Sequence, residues 1–456
     1  MVTINGLRAV GLFVCLVAAS TVHAQPGPLP TDSAPADAAP VDAGPAPSVD
    51  IAPAPSADAP AVLASSAPPG LVPPAPEPPP KDTPIKLTAA AGKGITFKAG
   101  DAFSLNLRAR AQLRYQLHAP LPDTDGERIV DETVQVGTLR LWIGGHTLTP
   151  KLLYMIQLAL AERDYRDGVI SPVFDAFLDY KAHRDLSIKV GQYFVPFDRL
   201  RTVREFALQL ADRPRPVAEL TLDRDVGVTV YSDGFLGTPL AYRFGVFGGN
   251  GINRATATAE VGPLVVGRLE LRPFGPIDDD SEGDLERRKK PGLALGAGAA
   301  ANFNTDRTRS TTGGRFAETT SYYHLAADAV FKWQGFALQL EYLWRGASKL
   351  MFATETNGMV VTEYARPAQG WVAQASYTFD PPIELVGRAS RMFAPSTSDP
   401  RLVDEIERLG QEYAAGANYY INGHQLKLQA DWIGRSGTNG THRFEHLVHV
   451  QIDATF

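Results

Sequence analysis

The chain has 456 residues, 44% of them hydrophobic and 21% charged, with a formal net charge of -6 and one cysteine, Cys15. So mild an acidity, without a basic cluster, argues against a nucleic-acid partner. A single cysteine excludes a disulfide framework and a cysteine metal site. No run of about 18 apolar residues follows residue 24, so no helical anchor is expected.

Residues 1–24 read as a secretory signal. Arg8 supplies the positive region, Ala9 to Ala19 the short apolar stretch, and Val22-His23-Ala24 a small-residue cleavage site. Cys15 falls inside it, and Val14 before it does not suit a lipid anchor. A large exported chain without cysteine fits the outer membrane of Gram-negative bacteria.

Residues 25–86 hold 19 of the 36 prolines. Proline-rich sequence without hydrophobic period cannot pack a core, so this Pro/Ala-rich tract is expected to be a disordered linker reaching through the periplasm. It carries seven acids against Lys81 and Lys86, which leaves a net charge of -2 on residues 87–456.

From Gly94 the pattern becomes period-2. From Ser104 to His118 the alternation does not break: Leu105, Leu107, Leu113, Tyr115 and Leu117 share one face, while Arg108, Arg110, Gln112 and Arg114 share the other. Fifteen further stretches follow, from VQVGTLRLWIGGHTL to FEHLVHVQIDATF. Every second connection is short: Thr149-Pro150, Ala182 to Asp185, Asp233 to Thr238, Gln334-Gly335, Asp380 to Pro382 and Asn422-Gly423. The exception is Gly275 to Pro291, which is long and charged on the supposed short side. The pattern predicts an all-β fold, a transmembrane antiparallel up-and-down β-barrel of about 16 strands over residues 87–456, apolar toward lipid and polar toward a wet lumen.

Two features agree with this. Tyr323, Trp333, Phe336, Trp344, Trp371, Phe379, Tyr419 and Trp432 sit at strand ends on the lipid phase, as interfacial girdles require. The last strand places Phe444, Val448, Val450, Ile452, Ala454 and Phe456 on one face, with His446 as the exception. A terminal phenylalanine on such a strand resembles the signal read by the outer-membrane assembly machinery.

The segments GKGITFKAGDAFSLNLRARAQLRY, VGQYFVPF, RDVGVTVYSDG, AYRFGVFGGNG and ANYYINGHQLKLQADW resemble the phosphate-selective porin O and P family over about residues 90–456. The resemblance implies a sixteen-stranded outer-membrane barrel, a homotrimer, and an anion-selective, water-filled pore for passive diffusion of small anions such as phosphate or polyphosphate. It implies no cofactor. The family's anion-concentrating lysines cannot be placed in this sequence, and the proline-rich tract departs from its pattern.

On this reading Arg108, Arg110 and Arg114, with Arg140 on the next strand, form a ladder facing the pore. Rows of arginine in a narrow passage favour oxyanions. The third outer connection, Val195 to Arg224, is expected to fold inward and narrow the pore. It contributes Arg199, Arg201 and Arg204, and Arg199 to Leu210 is expected to form a short helix. Lys189, Lys332 and Lys427 on the lumen phase are expected to be solvated, and Arg224-Asp225 to form an ion pair at the loop base. Lumen-phase acids Asp175, Asp179, Glu270, Asp328, Glu341 and Asp431 leave a second reading open, a weakly selective general diffusion pore with a transverse field. A non-conducting barrel tethered to the cell wall is a third. The nine histidines form no nucleophile-base-acid arrangement and no metal-ligand pair, so catalysis is not expected.

Overall fold

Strand side chains alternate between two faces, and in the computed structural model that alternation builds a closed wall. It describes residues 84–121, 129–164, 172–253, 262–356, 359–380, 382–395, 399–437 and 444–456; the expected signal and nearly all of the expected linker lie outside these. A hairpin of β1 (Ile85–Ala90) and β2 (Gly94–Ala99) comes first. The wall follows: β3 (Phe103–Ala119), β4 (Asp131–Thr147), β5 (Leu152–Ala159), β6 (Val173–His183), β7 (Leu186–Phe194), β8 (Arg224–Ser232), β9 (Leu240–Phe247), β10 (Leu264–Leu271), β11 (Gly292–Arg309), β12 (Thr312–Trp333) and β13 (Phe336–Ala347). A small separate hairpin, β14 (Met351–Thr356) with β15 (Met359–Tyr364), interrupts it. The wall resumes with β16 (Ala368–Thr378), β17 (Ile383–Phe393), β18 (Gln411–Asn422), β19 (Leu426–Ser436) and β20 (Glu445–Thr455).

Each wall strand pairs antiparallel with the next, and β20 returns to β3 in register from His446 opposite Ala119 to Thr455 opposite Arg110. The result is a closed barrel of sixteen strands, as the period-2 pattern predicts. Phe456 exchanges two backbone hydrogen bonds with Ala109, and below that point β2 takes over the free edge of β3, with Ile95 opposite Leu107.

The two faces differ as a barrel in lipid demands. In β17, Ile383, Leu385 and Gly387 point outward and exposed, while Glu384, Val386 and Arg388 point inward and buried. Leu113, Leu178, Phe244, Leu325 and Leu385 are each about half exposed on the outer face, an apolar belt far larger than a water-facing surface carries. Seven of the eight expected girdle aromatics are exposed, and Trp344 is half-buried. His446, the polar exception on the lipid face, stacks against Trp432 and Phe444, and its Nδ1 accepts a 3.2 Å hydrogen bond from the Trp432 indole.

Two local expectations are corrected and one irregularity is borne out. Among the described residues three α-helices occur in the connections: α1 (Arg199–Thr202), α2 (Arg215–Leu220) and α3 (Pro400–Glu407). So the helix expected over Arg199 to Leu210 stops at Thr202, and one 3-10 turn, Glu205–Ala207, follows. The cause is competition. Wall and loop side chains satisfy this backbone instead, with Glu341 accepting from the N–H groups of Arg199 and Leu200 and Arg213 donating to the carbonyls of Leu200 and Val203. The long connection between β10 and β11 is real, since Leu271 stands opposite Leu295; its residues fold into the lumen. Lys332 and Lys427 are fully buried rather than solvated, because inward-folded segments cover them.

Candidate functional site

The lumen is filled from both ends. From the end with long connections comes the loop 195–223 between β7 and β8. Asp328 binds Arg199 Nε at 2.6 Å, Arg268 reaches the Phe197 carbonyl at 3.1 Å, and Asp431 accepts from the Ala211 N–H at 2.5 Å. Lys427 Nζ donates to the Leu208 carbonyl at 2.6 Å and Asn418 to the Gln209 carbonyl at 2.9 Å. The approach is close enough to need glycine in the wall. A Cβ on Gly298 would lie 2.2 Å from the Phe197 carbonyl oxygen.

From the other end comes the connection 272–291. Lys332 Nζ donates to the carbonyls of Asp278 (2.6 Å) and Ser281 (2.8 Å), and Gln339 donates to that of Glu282 at 2.8 Å. Glu282 then accepts from the Gln209 N–H at 2.7 Å and from Gln374 at 2.9 Å. The two segments thus meet inside the barrel, and together they close the half walled by β11–β13 and β16–β20.

The larger volume that stays open lies along β3–β10. A cavity of about 440 Å³ is lined by twelve basic and eight acidic side chains. A second, of about 260 Å³, lies beside Gln112, Arg114 and Arg435. Arg201, Glu205 and Arg213 line both cavities and so form the partition between them. One wall of the larger cavity is aromatic. Arg224 is sandwiched between Phe174 and Phe194, 3.6 and 3.7 Å from their ring centres, and Lys189 stands 4.6 Å from Phe177 and 5.3 Å from Tyr193.

Five of the seven arginines singled out from sequence line the larger cavity: Arg110, Arg140, Arg199, Arg201 and Arg204. Arg114 lines the smaller one, and Arg108 lines neither, stacking 5.0 Å over Trp142. Most are already paired. Arg110 forks onto Asp453, Arg114 binds Asp212 at 2.8 Å, Arg140 binds Asp164 and Glu205, and Arg201 binds Asp223 at 2.8 Å. Arg199 is shared between Asp328 and Asp279, each at 2.6 Å. Arg204 differs. Its side chain is exposed in the cavity and forms no ion pair among the described residues. Arg213, among the described residues, binds the carbonyls of Leu200 and Val203 and no carboxylate. The expected ion pair between Arg224 and Asp225 does not form: Arg224 binds Asp175 at 2.7 Å, and Asp225 caps the N–H groups of Val226 and Gly249.

Burial shifts groups of the loop 195–223, Asp198 and Arg213 among them. The Asp198 carboxyl is pushed up to about 6 by loss of solvent, although it accepts from the Arg201 N–H. The Arg213 guanidinium is pushed down to about 10 by burial and by Arg201. Among the described residues no cluster of His, Cys, Asp or Glu could hold a metal ion.

The profile of the phosphate-selective porin O and P family matches residues 111–452. The chain belongs to that family. It is an outer-membrane channel protein. Solved structures similar to this porin include Salmonella typhi OmpF in complex with daunomycin, at 16% identity and a TM-score of 0.50 over 77% of this chain and 98% of that one. The outer membrane channel DcaP of Acinetobacter baumannii is similar at 12% identity and a TM-score of 0.51, over 80% and 100% of the two chains. Both likenesses concern the barrel fold. A search of curated proteins gave no match.

Several lumen residues of this porin escaped the sequence reading. Arg243 and Arg268 stand opposite one another on β9 and β10, and both line the larger cavity. Their phase in the alternation was the available signal, and it was as clear as that of Arg110. Asp279 and Asp280 carried no such signal, because nothing in their local pattern places a charged turn inside a barrel.

Proposed function

We propose that this porin mediates passive diffusion of small anions, phosphate among them, across the outer membrane. The observation that carries this reading is the pair Arg204 and Arg213. They project from the inward-folded loop beside the open passage and, among the described residues, have no carboxylate partner. The paired wall arginines are largely neutralised, so these two supply the uncompensated positive charge. A guanidinium fork suits an oxyanion better than a point charge does. The surplus of basic over acidic groups around the larger cavity agrees in sign. Arg108, Arg110, Arg114, Arg140, Arg199 and Arg201 act on this reading as the basic surround. The chain is not an enzyme, trimerises through its apolar wall in membrane lipid, is recognised by the assembly machinery through Phe456, and holds residues 25–86 in the periplasm.

A second reading has its own support. The many Arg–carboxylate pairs of the lumen wall resemble a transverse field, which gives a weakly selective diffusion pore. Reversal potential in a planar bilayer under a KCl gradient separates the two. A strongly anion-selective current, reduced by added phosphate and made less selective by Arg204→Gln, is expected. A large current with reversal near zero, unmoved by phosphate, would refute the anion reading.

A further inference from the structure

We propose that the constriction has two halves, and that Asp280, from the connection 272–291, is a selectivity-determining residue that opposes Arg204 across the passage. The inference rests on the anion-channel reading above and adds a second segment to it.

The geometry is a pair of clamps with a free charge between them on each side. On the loop, Arg199 binds Asp279 at 2.6 Å, while the Ala207 carbonyl and the Gln209 N–H bind Glu282 at 3.4 and 2.7 Å. Arg204 lies between Arg199 and Ala207. Asp280 lies between Asp279 and Glu282. Two short chain segments are therefore held against one another at both ends, and the residue left free in each is charged. Both side chains are exposed and both line the larger cavity. Asp280 forms no hydrogen bond or ion pair among the described residues, so its carboxylate holds nothing together.

The two charges also sense each other. Partial loss of solvent inside the lumen and the neighbouring Asp279 push the Asp280 carboxyl up, and Arg204 pulls it back. Its flanks are hydrogen-bonded by contrast. Lys332 grips the carbonyls of Asp278 and Ser281, and Asp284 accepts from the Gly335 N–H at 2.8 Å. A fixed carboxylate is thus set beside the passage that an anion must use. It weakens the attraction of Arg204 and discourages a multiply charged anion from remaining bound.

The test is reversal potential in planar bilayers for the full-length chain and for Asp280→Asn, Asp280→Glu and Arg204→Gln, with barrel folding checked by heat-modifiable gel mobility. Asp280→Asn should raise the anion-to-cation permeability ratio by about sevenfold, because one unit charge about 7 Å away in water shifts the anion and the cation by about threefold each in opposite senses. Asp280→Glu should match the parent chain, and Arg204→Gln should lower the ratio by a similar factor. If Asp280→Asn does not fold, Asp280→Cys in a Cys15→Ser background takes its place. That cysteine would be the only one in the chain. A cationic thiosulfonate reagent should then raise anion selectivity and an anionic one lower it. An unchanged ratio in Asp280→Asn, or in both labelled forms, while Arg204→Gln still shifts it, overturns the role of Asp280 and leaves the anion reading standing. If Arg204→Gln is also without effect, the anion reading itself fails.

Discussion

The two halves of the barrel wall obey the same alternation and end in different environments. Along β11–β13 and β16–β20 several inward polar side chains hold the backbone of the inward-folded segments. Lys427 holds the Leu208 carbonyl, Lys332 those of Asp278 and Ser281, and Gln339 that of Glu282. Along β4–β10 the inward side chains meet one another and aromatic rings around open volume, as Arg224 does between Phe174 and Phe194. Inward polarity therefore has two uses in this fold. A group may line water, or it may satisfy a segment that would otherwise bring unpaired N–H and C=O groups into the barrel.

The strongest way to break this contrast is to remove the filler. Replacing residues 276–290 with a short glycine-asparagine turn should open the closed half and raise single-channel conductance by about a factor of two or more, because conduction follows the open passage. Unchanged conductance would mean that the passage does not depend on this segment. The next effect is on stability. Lys427→Met leaves the buried Leu208 carbonyl without its donor and should cost about 1–3 kcal/mol, read from urea unfolding of the refolded barrel in detergent. The same change at Lys189, half-buried beside open volume, should cost clearly less.

In the open half the expected change is in selectivity. Arg224→Ala leaves Asp175 uncompensated in the larger cavity and should lower the anion-to-cation permeability ratio by about twofold. The smallest effect comes from acidification. Burial places Asp198 at about 6, above the ordinary carboxyl range. Its charged form is disfavoured in the folded chain, so its destabilising contribution is present above about pH 6 and is relieved as pH falls toward the ordinary value. Between pH 7 and 5 the cavity should lose this negative charge and become modestly more anion-selective. Asp198→Asn should abolish that trend, and bilayer recordings across the pH range would reveal it.

The wall was legible from sequence because its signal is local. A strand such as Ser104 to His118 declares two faces by itself, and Asn422-Gly423 marks its own turn. The contents of the lumen were not legible, because they depend on contacts between distant residues. Lys427 reads as a wall lysine until Leu208 is seen above it. Arg199 to Leu210 reads as a helix until Glu341 and Arg213 take up its backbone groups. The charged run after Gly275 broke the loop rule, and that irregularity was the one sequence trace of the second inward segment. Among the seven arginines, composition alone could not separate the unpaired Arg204 from Arg110, whose counterion Asp453 lies at the far end of the chain.

The seam between β3 and β20 has a consequence for how the molecule comes into being. Arg110 lies opposite Thr455, so the ring joins the earliest wall strand to the latest, and closure waits until nearly the whole chain is available. Until then β3 offers a bare edge beyond Leu107, open to any other strand. The β1–β2 hairpin occupies the edge below it, from Phe103 to Leu107, using residues that are made before β3 itself. It can act as a built-in edge guard, leaving only the upper stretch for β20 to find and thereby fixing where the last strand must stop.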